Sequence, residues 1–336
     1  MPAPSLLSIL PCCRSPRVVH EPRPAPPPLP DPKYVQIDDI CKIEYVDVEP
    51  TLKVENASAT VVCVHGAPGS FRDFRYLIPL LAEQQPGLRI IGVNLPGYLG
   101  SEVAKTHYLQ TVAALRAAEV VLQAIRQLCG TLESGDVFLL GHSFGAHTVI
   151  NIAALNETQR IAGDVANTLR IRGIAVMAPA GCAPQRMVKE IPIKMLMLLL
   201  RSRSAVVVRF GTRITKYLYT ELLGFPRRTP ATSCVSAVIR AGTTKFPLIR
   251  TQVNLLKEAR MPVFIAWALD DILVEPEIPQ ELGKLSHVGP RLEFAGGGHN
   301  IQKTRVEQVT AALSSWILSI LSGCDSIELG MTQHFP

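Results

Sequence analysis

Gly141-His142-Ser143-Phe144-Gly145 decides the reading of this chain. The stretch fits G-x-S-x-G. Before it, Asp136-Val137-Phe138-Leu139-Leu140 ends in a short apolar run of strand type; after it, Ala146 to Leu155 reads as a buried helix. Strand, sharp turn and helix are the context in which a serine is lifted to a helix N-terminus with its hydroxyl exposed. The flanking glycines suit so tight a turn, where a side chain at either flank would clash. A chance match is the plain alternative, and the strand and helix on either side weigh against it.

A serine hydroxyl is a weak nucleophile near neutral pH and needs a base, an acid to orient that base, and donors for an oxyanion. After such a turn the partners follow in the order serine, acid, histidine. Arg291-Leu292-Glu293-Phe294-Ala295 reads as a strand and Gly296-Gly297-Gly298-His299-Asn300 as the loop after it, which makes His299 the base. His287 is the competing loop histidine, and His142, inside the turn, is read as structural. For the acid, Met261 to Ala268 contains a buried strand leading into Asp270 and Asp271, while Ile174 to Ala178 runs into Pro179-Ala180-Gly181-Cys182 with no acid nearby. Either aspartate can serve; a loop-capping role is expected for the other. Thr60-Val61-Val62-Cys63-Val64 leads into His65-Gly66-Ala67-Pro68-Gly69-Ser70, so the oxyanion donors are assigned to the N–H groups of Ala67 and Phe144. Pro68 has no N–H to give.

Four segments in this order, HGAPGS at 65–70, GHSFG at 141–145, ALDDILV at 268–274 and GGGHN at 296–300, resemble the α/β-hydrolase superfamily over roughly residues 40–322. The family spacing G-x-x-D-x-x-V aligns Asp271 as the acid, although Ala268 replaces the usual glycine and Asp270 stays as runner-up. Asn94 stands where the family often has aspartate. Ser143 departs from the dehalogenase and epoxide-hydrolase branches, whose nucleophile is aspartate. The resemblance implies an α/β fold with a mostly parallel central sheet, flanking helices and a helical lid insertion.

Pattern along the chain agrees with that class. Strands are expected at about 34–48 and 52–57 as a hairpin-like pair, with a bulge where the apolar phase slips between Tyr45 and Val48. Further strands are expected at 89–93, 137–140, 174–178, 263–268 and 292–294, and helices at 109–129 and 306–321. Such alternation predicts a parallel sheet covered on both faces, with ligands bound at the strands' carboxyl ends. Residues 1–33 are assigned to a disordered or targeting segment with a proline-rich linker, 34–182 and 261–322 to the core, 183–260 to the lid and 323–336 to a tail.

Of 336 residues, 47% are hydrophobic and 18% charged, a composition that fits a well-stocked core and not a disordered chain. The eight cysteines are scattered without metal-ligand or disulfide spacing, which suggests reduced thiols and an intracellular, cytoplasmic setting. A mitochondrial presequence in the acid-free first 20 residues is an alternative, as is a lipidated tail at Cys12-Cys13. Residues 183–260 carry 15 Lys or Arg and 3 Asp or Glu, a net +12, against +6 for the whole chain. Their apolar runs at 195–200 and 206–208 suggest a pocket cover with a basic outer face, able to contact anionic membrane. A plain helical cap with solvated charges is the preferred reading of that face. No nucleic-acid motif is present.

The expected activity is hydrolysis of an ester or related acyl bond of a small, apolar substrate, without metal or organic cofactor. Carbon–carbon bond hydrolysis or acyl transfer would use the same residues, and a non-catalytic ligand-binding protein would keep the fold alone.

Overall fold

The computed structural model describes residues 25–52, 59–130, 135–186, 190–323 and 331–336. The expectations for Cys12, Cys13 and the first 20 residues therefore lie outside the described residues. Among the described residues, ten strands form one sheet: β1 (Lys33–Gln36), β2 (Cys41–Val48), β3 (Ala59–Val64), β4 (Leu88–Val93), β5 (Glu102–Val103), β6 (Asp136–His142), β7 (Arg170–Met177), β8 (Val263–Ala268), β9 (Arg291–Phe294) and β10 (Thr332–Phe335). Their order is β1-β2-β4-β3-β6-β7-β8-β9-β10, with β5 beside β2. The run from β4 through β3 to β10 is parallel, and β1 and β2 are antiparallel additions at one edge.

The helices are α1 (Leu77–Gln84), α2 (Tyr108–Thr111), α3 (Ala114–Cys129), α4 (Phe144–Ile161), α5 (Glu190–Leu200), α6 (Ala205–Tyr217), α7 (Ala231–Thr243), α8 (Phe246–Glu258), α9 (Glu277–Leu285), α10 (Ile301–Thr304) and α11 (Val306–Ser322). Two apolar cores lie on opposite faces of the sheet. One joins Val121 and Ile125 of α3, Val149 and Ile152 of α4, and Val253 and Leu256 of α8 to the strands. The other joins Ile78 and Leu81 of α1 and Leu313 and Trp316 of α11. Strands buried on both faces read as continuous apolar runs, which is why β3, β6 and β8 stand out in the sequence. Among the described residues, no helix is long and apolar enough to cross a membrane.

Several expectations need correction. The first strand is interrupted at 37–40, where the Asp38 carboxylate accepts the Ile40 and Cys41 N–H groups, each at 2.8 Å, and turns the chain. The hairpin is thus β1 with β2; Leu52 is exposed and residues 53–58 lie outside the described residues. No bulge marks the phase slip in β2, whose pairing with β4 runs in register from Tyr45 to Val48. Both faces of β2 are covered, and Asp47 is buried because Arg89 grips it with two bonds of 3.0 and 2.8 Å. The expected helix at 109–129 is broken at Val112-Ala113 into α2 and α3. The tail ends in β10, whose Phe335 stacks on Phe294 at 5.0 Å. Residues 26–32, within the expected proline-rich linker, border the cleft described below, and Leu29 packs against the α1–α11 core.

The segment 183–260 divides by packing. Leu196, Met197 and Leu200 of α5 and Val235, Val238 and Ile239 of α7 form a third apolar cluster apart from the sheet. The α8 helix instead lies on α4 and belongs to the main core.

Candidate active site

β6 ends at His142, and Ser143 follows with φ 53° and ψ −124°. Non-glycine residues seldom adopt positive φ, and the strain is held by neighbours on all sides. Ser143 donates its N–H to Met177 O at 3.0 Å, and its carbonyl accepts from Ala146 and Ala180. The glycines answer to crowding: a Cβ on Gly145 would meet Val64 O at 2.2 Å, and one on Gly141 would meet Gly145 O at 2.6 Å. The motif is therefore a packing requirement between β6, α4 and β3, legible from the residues alone.

His299 and Asp271 come together from loops after β9 and β8. His299 Nδ1 lies 2.8 Å from Asp271 Oδ2, with the two side chains 12% and 2% exposed. Asp271 Oδ1 accepts the N–H groups of Leu273 at 2.8 Å and Val274 at 3.1 Å, so both carboxylate oxygens are engaged and the carboxylate is fixed in place. Asp270 points elsewhere. Its oxygens accept the N–H groups of Gly297 at 3.2 Å and Gly298 at 2.7 Å, clamping the loop that carries His299. His287 stands apart, and its carbonyl accepts from Arg291.

Ser143 and His299 line one cleft of about 1350 Å³ together with Ala67 and Phe144. Phe144 opens α4, where the first N–H groups have no intrahelical acceptor. Ala67 follows Gly66, whose position a Cβ could not share with Ser143 Cβ, 2.9 Å away. The backbone of the loop after β3 thus comes directly against the serine. Apolar side chains on the same cleft include Ile193 and Leu196 of α5, Leu218, Leu223 and Val238.

Sequence reasoning missed several supporting groups. His142, read as structural, braces the base: its Nε2–H donates to the His299 carbonyl at 2.9 Å and its ring lies 4.9 Å from the His299 ring. Burial, and then the neighbouring His299, push its pKa below the ordinary histidine value. His65 donates from Nδ1 to Gly66 O at 2.6 Å and accepts the Leu95 N–H on Nε2 at 3.0 Å. Burial lowers it to about 4, so it is neutral as those two bonds require. His147 donates to Gly181 O at 2.8 Å and is likewise lowered by burial to about 4. Lys303 of α10 pairs with Asp73 at 2.6 Å, beside the cleft. Arg240 of α7 is 1% exposed and donates from Nη2 to Phe144 O at 3.0 Å, with Nε and Nη1 unpartnered among the described residues. Burial lowers its pKa to about 10 and leaves it charged at neutral pH. His65 and His142 stand inside the HGAPGS and GHSFG segments, but their partners Leu95 and His299 lie on distant elements, as do those of His147, Asp73 and Arg240, and no pattern in the sequence marks those contacts.

Residues 61–312 match the alpha/beta hydrolase family, and the chain belongs to it. An esterase from Exiguobacterium antarcticum is 18% identical with a TM-score of 0.59, covering 85% of this chain and 99% of its own. A mutant haloalkane dehalogenase, DatA, from Agrobacterium tumefaciens is also 18% identical, with a TM-score of 0.61 and coverage of 86% and 96%. The uncharacterised Caenorhabditis elegans protein F35H12.5 is 22% identical over 253 residues, which span 74% of this chain but only 66% of that protein. At such identities the solved structures establish the shared fold.

Proposed function

We propose that the protein is a serine hydrolase that cleaves an ester or related acyl bond of an apolar substrate, with Ser143, His299 and Asp271 as its triad. The observation that carries this reading is the 2.8 Å pairing of His299 with Asp271 in the cleft that the strained Ser143 also lines. With Nδ1–H donated to Asp271, the His299 tautomer leaves Nε2 free as a base. Ser143 Oγ attacks the acyl carbon as Nε2 takes its proton. The tetrahedral oxyanion is held by the N–H groups of Ala67 and Phe144. Nε2–H then protonates the leaving group, and water repeats the attack on the acyl-enzyme with the same base.

An apolar acyl group is supported by Ile193, Leu196, Leu218, Leu223 and Val238 on the cleft wall. The esterase among the structural relatives adds to this reading, whereas the dehalogenase shows that the fold alone does not choose the chemistry. The test is labelling with an active-site fluorophosphonate, followed by turnover of activated esters. Labelling that is abolished in Ser143→Ala supports the serine. An unlabelled wild-type protein without ester turnover would leave a ligand-binding member of the family.

A further inference from the structure

Seven of the seventeen large apolar side chains left exposed among the described residues fall between Ile191 and Leu222. Their spacing puts them on faces. In α5, Ile191, Met195 and Leu198 recur at i, i+4 and i+7 and are 76%, 58% and 69% exposed. In α6, Val206, Phe210 and Tyr217 recur at i, i+4 and i+11, again on one side of the helix, and are 74%, 58% and 59% exposed. α6 instead packs on the leucines of α5 through small groups. α6 buries Gly211 and Thr215, and a Cβ on Gly211 would meet Leu199 Cβ at 2.8 Å. On α6, small residues inward and large apolar residues outward invert the usual arrangement of a water-facing helix, while α5 is apolar on both its buried and its exposed side.

The charges on the same pair point to the occupant. Arg201, Arg203, Arg209 and Arg213 are exposed on α6 or the turn that leads into it, and none has a carboxylate partner among the described residues. Lys194 on α5 is paired with Glu190. A second copy of the chain docked on this face would set the arginines against their own counterparts. An anionic headgroup layer complements them, and its acyl boundary accepts the apolar stripes.

We propose that the outer faces of α5 and α6 are a docking surface for an anionic lipid bilayer. Ile191, Met195, Leu198, Val206 and Phe210 enter the acyl boundary while the four arginines contact headgroups. The inner side of α5 carries Ile193 and Leu196 on the cleft wall. One helix therefore separates the bilayer from the cleft. An apolar substrate of the proposed hydrolase dissolved in that bilayer would have a short route to Ser143. Only this last consequence rests on the proposed function; the docking surface does not.

The test uses the full chain carrying Ser143→Ala, so the outcome is independent of catalysis. Its two tryptophans, Trp267 and Trp316, are buried away from lipid, so the change that vesicles cause in a Phe210→Trp variant, measured against the parent protein, reports on α6. Phosphatidylcholine vesicles containing phosphatidylserine should shift its emission to the blue, and brominated lipid should quench it. Vesicle co-sedimentation should fall by about tenfold or more for Leu198→Ser, the cost of losing one buried leucine. Arg203→Gln with Arg209→Gln should weaken binding at low salt far more than at high salt. An unshifted Phe210→Trp signal, or unchanged sedimentation of Leu198→Ser, would overturn the proposal. So would a dimer in light scattering that Leu198→Ser dissociates, because a second copy would then own this face.

Discussion

Acid should destabilise this protein well above the range in which its carboxylates titrate. His65 and His147 are buried and neutral, with native pKa values of about 4 against 6.5 for the free side chain. Below 6.5 the unfolded chain takes up protons that the native fold refuses, so stability falls with pH until the native values are reached. From neutrality to about pH 5, each group costs roughly 1.5 pKa units, or about 2 kcal/mol. Together they remove roughly 4 kcal/mol, a large share of an ordinary folding free energy of about 5–15 kcal/mol. His142 adds to the effect with the same sign. Asp47 and Asp73 do not interfere. Against the opposing effect of burial, Arg89 and Lys303 hold them below the usual carboxylate value of 3.8, so their contribution is kept above that pH and lost only beneath it. Urea unfolding followed by circular dichroism between about pH 7.5 and pH 5 measures the slope, which is about 1.4 kcal/mol per pH unit for each refused proton. His147→Gln keeps a donor for Gly181 O and should remove about half of what the two groups cause together. A urea midpoint that does not move across this interval would refute the buried-neutral assignment.

Asp271→Asn should lower kcat for activated esters by about 10⁴-fold, because the amide favours the wrong histidine tautomer. Asp270→Asn should cost far less and act mainly on stability, since its bonds hold only the glycine loop; a reversed ranking in steady-state kinetics would make Asp270 the acid. Arg240→Met should lower kcat with little change in KM, because the guanidinium braces the Phe144 carbonyl. Its thermal midpoint should hold or rise, since a buried unpaired charge is replaced by packed apolar volume; a drop in the midpoint with kcat intact would make the residue purely structural. Gly145→Ala should fail to accumulate as folded protein or melt far lower, because the added Cβ would collide with Val64 O. A wild-type melting curve would show that the turn can relax.

Local chemistry carried much of the outcome before any tertiary contact was known. The sharp turn at Ser143 needs glycine on both sides and an apolar strand before it, and these are neighbours in the chain. The parallel sheet was legible for a related reason: β3, β6 and β8 are buried on both faces, so Val61–Val64, Val137–Leu140 and Val263–Ala268 within them are apolar without interruption. Where polar residues are buried in pairs, the pattern misled. Asp47 reads as a solvent-facing break until Arg89, 42 residues away, is seen to hold it. The aspartates at 270 and 271 are chemically identical and adjacent, and only the loop after β9 determines which faces His299 and which faces the glycines. Periodicity marked α5 as apolar but could not say which of its residues face inward. Leu196 and Leu198 differ by two positions and point to opposite surroundings, one into the cleft wall and the other into solvent. A sequence records which side chains avoid water, while their direction depends on backbone packing between segments far apart in the chain. At α5 that packing is set by the glycine of α6 that brings the two helices together.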